Sequence, residues 1–178
     1  MNIPELRFTN FNTQWLNVKL KDCVVRSNKR NKELKYSFVE SIISKQGFIP
    51  QAEAFEGRVI ASKDLSNYSV VTPCSFAFNP GWIQTGALAY KSQNSKISII
   101  SPLYVVFKTT DLIDDYFLWY WFLTDNFEQQ RSTETSTGVR FRFNFESLIA
   151  MKINLPSIDE QKKIGHLFKI EFRLMILS

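Results

Sequence analysis

Histidine and cysteine are scarce: there is one His, His166, and two Cys, Cys23 and Cys74, far apart and without a CxxC pair. That leaves no ligand set for a zinc site and no disulfide framework, so both thiols are expected to be free and buried. A lone His166 inside an expected helix also leaves a Cys or Ser nucleophile without the base it needs. Long apolar runs are missing as well. None approaches the roughly 18–20 residues of a membrane span, and residues 1–12 have neither a basic start nor an apolar signal core, so a cytoplasmic protein is expected. Glycine is sparse at six residues, and none forms the glycine-rich strand-to-helix turn that cradles S-adenosylmethionine near an amino terminus. The Asn79-Pro80-Gly81-Trp82 stretch lacks the second proline of the Asn-Pro-Pro-aromatic loop that holds a flipped base, and reads as a surface turn. Glu40, Glu53, Glu56 and Asp64 are scattered rather than clustered with a lysine as a nuclease metal site requires. No catalytic residue, metal site or cofactor is expected of this chain.

What is present is the composition of a folded domain, 44% hydrophobic and 22% charged over 178 residues, with a net charge of +5 that favours polyanionic partners. Val18 to Val25 and Tyr36 to Ile43 alternate as strands, separated by the charged stretch 27–35, which reads as a solvated turn. Val70–Val71, Phe76–Phe78, Gly86–Tyr90, Ile97–Ile100 and Leu103–Phe107 supply further strand material, punctuated by Pro73, Asn79-Pro80-Gly81 and the polar loop 91–96. Asp111 is a plausible N-cap for a short helix that is apolar on every side from Tyr116 to Leu123, which calls for burial. The polar stretch from Gln129 to Gly138 reads as loop. Arg140 and Arg142 then alternate with Phe141, Phe143 and Phe145, and Ile149 to Leu155 alternates again up to Pro156. Ser157 followed by Glu160 fits a reciprocal capping box opening a final helix. The expected fold is α/β of the α+β kind: a twisted, mostly antiparallel sheet with packed helices in residues 1–156, then a C-terminal helix over 157–178.

Three segments, PELRFTNFNTQWLNVKLKD from Pro4 to Asp22, SPLYVVFK from Ser101 to Lys108 and TGVRFRFNFESLIAMKINLPSIDEQKKIG starting at Thr137, stand in the same order as in the DNA-specificity subunit of type I restriction-modification systems. The chain resembles one half of such a subunit, a single target-recognition domain with the start of its spacer helix. The resemblance implies sequence-specific binding of double-stranded DNA on behalf of a methyltransferase subunit, and of a restriction subunit through the complex. S-adenosylmethionine and ATP would then belong to those partners. The rival expectation is an assembly subunit that binds the methyltransferase without reading DNA.

Reading a duplex requires cations for phosphates and forked donors on loops for base edges. The loops supply Lys45, Gln46, Gln84, Lys91, Gln93, Asn94 and Lys96, and the segment after the apolar helix adds Arg131, Arg140 and Arg142, with Ser136 and Thr137 between them. For protein partners, the resemblance points to the last helix, where Ile164, Leu167, Phe168, Phe172 and Met175 form one apolar stripe. The same stripe allows self-pairing, in which two halves related by a dyad read a split palindromic site.

Overall fold

A computed structural model describes residues 7–44, 46–57, 60–135 and 143–177, with side chains up to residue 133 in the third stretch and 170 in the last. In chain order the elements are β1 (Leu16–Lys19), a 3-10 turn (Leu20–Asp22), β2 (Val24–Arg26), β3 (Glu40–Ile43), β4 (Gly47–Pro50), α1 (Gln51–Ala54), β5 (Ser69–Val71) and β6 (Ser75–Phe78). A second 3-10 turn (Ile83–Thr85) leads to β7 (Leu88–Lys91), β8 (Ser98–Ile100), β9 (Val105–Thr109), α2 (Asp115–Trp121), α3 (Asp125–Thr135), α4 (Phe145–Ala150), β10 (Lys152–Leu155) and α5 (Ile158–Leu177). The fold is α+β, and its registered strand pairs are antiparallel. The strands form four small sheets, ordered β1-β10, β2-β9-β6-β7, β3-β4 and β5-β8, rather than one. No helix among the described residues is long and apolar enough to cross a membrane.

Two compact units emerge, one made of Met1–Val24, Thr109–Gly138 and Glu146–Ser178, the other of Val25–Lys108 and Val139–Phe145. In this division α5 falls in the unit that also holds the amino-terminal segment.

In the helical unit β1 and β10 pair Leu16 with Leu155 and Val18 with Ile153. The alternation read along Ile149–Leu155 holds for β10 alone, since Phe145–Ala150 is helical. The cap of α2 is Asp114 rather than Asp111: its Oδ1 accepts from the N–H groups of Tyr116 and Phe117, both at 3.0 Å. Phe117, Leu118 and Trp121 are buried, as a helix without a polar face requires. At the start of α5 half of the capping box forms. Ser157 Oγ accepts from Glu160 N–H at 3.4 Å, while the buried Glu160 carboxylate takes Arg7 instead, Nε and Nη2 each at 2.7 Å. A guanidinium fork satisfies both carboxylate oxygens, which a single backbone N–H cannot. Gln161, also buried, accepts from Asp114 N–H at 2.9 Å and donates to Leu112 O and Pro156 O at 3.1 and 3.0 Å, tying α5 to the turn before α2.

Cys23 is buried in this unit with Sγ 3.8 Å from Lys19 O. Burial, with Asp22 nearby, pushes its thiol from about 9.0 up to about 11. The folded state therefore keeps a proton that the unfolded chain releases above about pH 9.0, so stability should fall as pH rises from there toward 11. Urea midpoints for wild type and Cys23→Ala at pH 8 and 10.5 check this. The variant should lose less of its midpoint on going alkaline, and equal losses would sink the assignment.

The sheet-rich unit is organised by β6, all four of whose residues are buried. Phe76 and Phe78 face one side, where Phe76 stacks on Phe107 at 5.2 Å and Phe78 meets Phe143 edge-on at 5.5 Å. Ala77 faces the other, with Ala89, Val106, Val71, Ile100 and Ile42. Small residues on that face let the neighbouring two-stranded sheets approach, which is why this strand reads as a continuous apolar run rather than as an alternation.

Candidate nucleic-acid interface

Register decides which loops share an end of the sheet-rich unit. Phe78 pairs with Leu88, so the connection 79–87 leaves β6 and β7 at one end, and Ser75 pairs with Lys91, so the loop after β7 leaves at the other. Leu88 and Lys91 are about 10 Å apart along the strand.

The 79–87 connection is fixed by its own backbone. Asn79 Oδ1 accepts from Gly81 N–H at 3.0 Å, and Asn79 O accepts from Trp82 N–H at 3.0 Å. Trp82 O in turn accepts from the N–H groups of Thr85 and Ala87, at 3.1 and 3.2 Å. Gln84 Nε2 donates to Gly81 O at 2.9 Å, with its side chain at the surface. Ile83 is buried beneath the turn while Trp82 projects, 61% exposed. Gly86 closes the turn at φ +87°, and a Cβ there would stand 2.9 Å from Ser44 Oγ, so backbone conformation and space both demand glycine.

Ser44 Oγ donates to Thr85 O, which sets the β3–β4 turn beside the 79–87 turn. Gln46, exposed, donates its N–H to Ile43 O at 3.1 Å in that turn. Phe143 N–H bonds Pro80 O at 3.1 Å, and Ser27 N–H bonds Val106 O at 2.8 Å where Val106 faces Ala77. One end thus gathers Gln46, Gln84 and Trp82, with residue 143 and the start of the basic stretch after β2 alongside.

Gln93, Asn94 and Lys96 are exposed at the opposite end, in a turn closed by Ser95 N–H to Ser92 O at 3.1 Å and by the Ser92 and Ser95 hydroxyls at 2.9 Å. Lys91 is not on that loop. It ends β7, buried, with Nζ 2.5 Å from the buried Glu40 Oε2 and 5.0 Å from the Phe48 ring centroid. An ammonium held this way has no free surface to offer a phosphate. Arg131 is likewise withdrawn: the expected loop is α3 through residue 135, and the buried guanidinium grips Glu128, Nε to Oε2 at 2.9 Å. That hydrogen bond holds the Glu128 carboxyl below its usual range. The polar composition of α3 hid it, yet Thr124 followed by Asp125 and Glu128 is a helix-start signal, and Thr124 Oγ1 accepts from Phe127 N–H at 3.4 Å. Lys45, Ser136, Thr137, Arg140 and Arg142 lie outside the described residues. Trp82 is a site residue that sequence reasoning misses, because a single exposed tryptophan has no sequence signature.

For protein partners, Ile164 is half-buried and lines a groove of about 510 Å³ in the helical unit with Trp15, Phe117, Tyr120 and Trp121. Phe168 packs on Tyr120 at 5.3 Å yet stays exposed, as do Leu167 and Ile170. The side chains of Phe172 and Met175 are outside the described set.

The HsdS subunit from Thermoanaerobacter tengcongensis has a similar structure, with a TM-score of 0.67 at 15% identity over 93% of this chain and 44% of that one. A chain from a structure titled "Structural basis underlying complex assembly and conformational transition of the type I R-M system" gives 0.56 at 15% identity, over 99% of this chain and 41% of that one. The present chain spans less than half the length of either, and at such identity the likeness speaks for the fold alone. Among curated proteins no significant match is found. In sequence, residues 11–173 match the type I restriction modification DNA specificity domain, and on that coverage the chain belongs to this family.

Proposed function

We propose that this chain is a non-catalytic DNA-reading subunit that lends sequence specificity to a type I methyltransferase in the cytoplasm, and through the assembled complex to the restriction subunit. The observation that carries the proposal is the end of the sheet-rich unit where locked turns present Gln46, Gln84 and Trp82 together. Glutamine matches the N6 and N7 edge of adenine with two bonds, and each good pair contributes roughly 1–3 kcal/mol of discrimination. From the sequence alone, Lys45, Arg140 and Arg142 are the cations we assign to phosphates, Arg142 being followed directly in the chain by the residue bonded to Pro80. Lys91 and Arg131 are not among them.

Mapping methylated motifs in cells that carry this chain with its methyltransferase subunit tests the reading. Gln46→Ala and Gln84→Ala should each relax one position of the motif, while Gln93→Ala, Asn94→Ala and Lys96→Ala at the far end should leave it intact. An unchanged motif in the first pair, with folding preserved, would overturn the site. The exposed Leu167, Phe168 and Ile170 favour α5 as the methyltransferase or self-pairing surface. An assembly subunit without DNA reading predicts that same docking with no methylated motif at all.

A further inference from the structure

The chain's net charge of +5 is concentrated in ten residues: Arg26, Lys29, Arg30, Lys32 and Lys35 against Glu33 leave 26–35 at +4. Clustering like charges this closely destabilises a folded loop unless something fixes it, and here Asn31 does. Its buried amide donates to Tyr36 O at 2.8 Å and Leu65 O at 3.4 Å, and accepts from Tyr36 N–H at 3.1 Å. The backbone adds Asn31 N–H to Tyr68 O at 3.0 Å, Val70 N–H to Lys29 O at 2.9 Å and Leu34 N–H to Asn31 O at 2.8 Å. Arg30 is spent on the scaffold, Nη1 reaching Ser69 Oγ at 2.7 Å and Asn67 O at 3.2 Å.

Arg26, Lys29, Lys32 and Lys35 are exposed, and among the described residues none of them has a carboxylate within ion-pair distance. Lys32 donates to the neutral Asn67 Oδ1 at 2.8 Å. Asp64 is the nearby acid, its carboxyl lowered chiefly by hydrogen bonds from Ser66 and least by Lys32. The arch leaves the sheet at Ser27, bonded to Val106, whose partner Ala77 stands one residue before Phe78 and the 79–87 turn. It therefore springs from the end that carries the reading turns.

We infer that the arch 26–35 is a phosphate seat: Lys29, Lys32 and Lys35 bind the sugar-phosphate backbone of duplex DNA beside the reading turns, fixing register without reading sequence. The inference rests on the proposal that this chain reads DNA. A seat of this kind has a distinct thermodynamic mark, since each neutralised phosphate adds about 0.9 to the slope of log affinity against log salt, whatever the sequence. A merely solvated charge run adds nothing to that slope.

The test is anisotropy titration of the chain in complex with its methyltransferase subunit, on a duplex bearing the methylated motif and on a scrambled duplex, over a series of salt concentrations. Each of Lys29→Gln, Lys32→Gln and Lys35→Gln should lower the slope by about 0.9 on both duplexes and leave their affinity ratio unchanged, while the triple arginine variant keeps the wild-type slope. An unchanged slope in the triple glutamine variant, or a loss confined to the motif duplex, overturns the phosphate seat while motif binding by the wild type leaves DNA reading standing. A wild type that binds neither duplex overturns DNA reading itself and the seat with it.

Discussion

Gly165→Val should unfold the helical unit at a denaturant concentration far below that of the wild type, with a loss of roughly 3–5 kcal/mol from overpacking and a lost cap together. A Cβ at position 165 would lie 2.8 Å from Tyr116 Cβ, 3.0 Å from Asp114 Oδ1 and 3.0 Å from Phe117 N. Those are the groups that start α2, with Asp114 Oδ1 already committed to Tyr116 and Phe117. No rotamer escapes the clash, because Cβ itself causes it. In an open helix, glycine costs about 1 kcal/mol against alanine, so Gly165→Ala would ordinarily stabilise. Here the cap and the α2–α5 spacing outweigh that gain, and even alanine should destabilise. Urea denaturation followed by circular dichroism decides it, and an alanine variant more stable than wild type would falsify the close-approach account.

What could be read along the chain was whatever is local. Ser157 opens α5, the alternation before Pro156 gives β10, and the apolar stretch after Asp115 is buried as α2. The misreadings have one physical origin, since each polar group met a partner distant in sequence or hidden in a polar helix. Glu160 fits a capping box but finds Arg7, 153 residues away. Lys91 looks like a loop cation until the packing of two separate sheets sets its ammonium on Glu40, 51 residues away. Arg131 is taken up by Glu128 in a helix with no apolar stripe to announce it. The candidate residues divide between two ends of β7 for a related reason: the β6–β7 register sends 84 and 93 to opposite ends, while the Ser44–Thr85 hydrogen bond sets the turn that carries 46 beside the turn that carries 84.

Breaking the Glu40–Lys91 pair is the second large effect. Glu40→Leu should lose about 3–5 kcal/mol because the Lys91 ammonium is left buried without a counter-charge, and Lys91→Met should lose about as much by stranding the carboxylate. Both side chains are buried and 2.5 Å apart, with the ammonium over the Phe48 ring. The pair joins β3 to β7, strands of different sheets. The double variant Glu40→Leu/Lys91→Met replaces two charges by apolar groups of similar size, so most of the loss should return and the two substitutions should be strongly non-additive. The same cycle settles what Lys91 is for. If Lys91 touched phosphate, the salt slope of DNA binding would be lower in every folded variant that lacks it. A lysine that only ties two sheets together leaves the slope of the refolded double variant at the wild-type value. Thermal midpoints with salt titrations of the four proteins separate the two roles, and a double variant as unstable as the singles would remove the pair from the account of this fold.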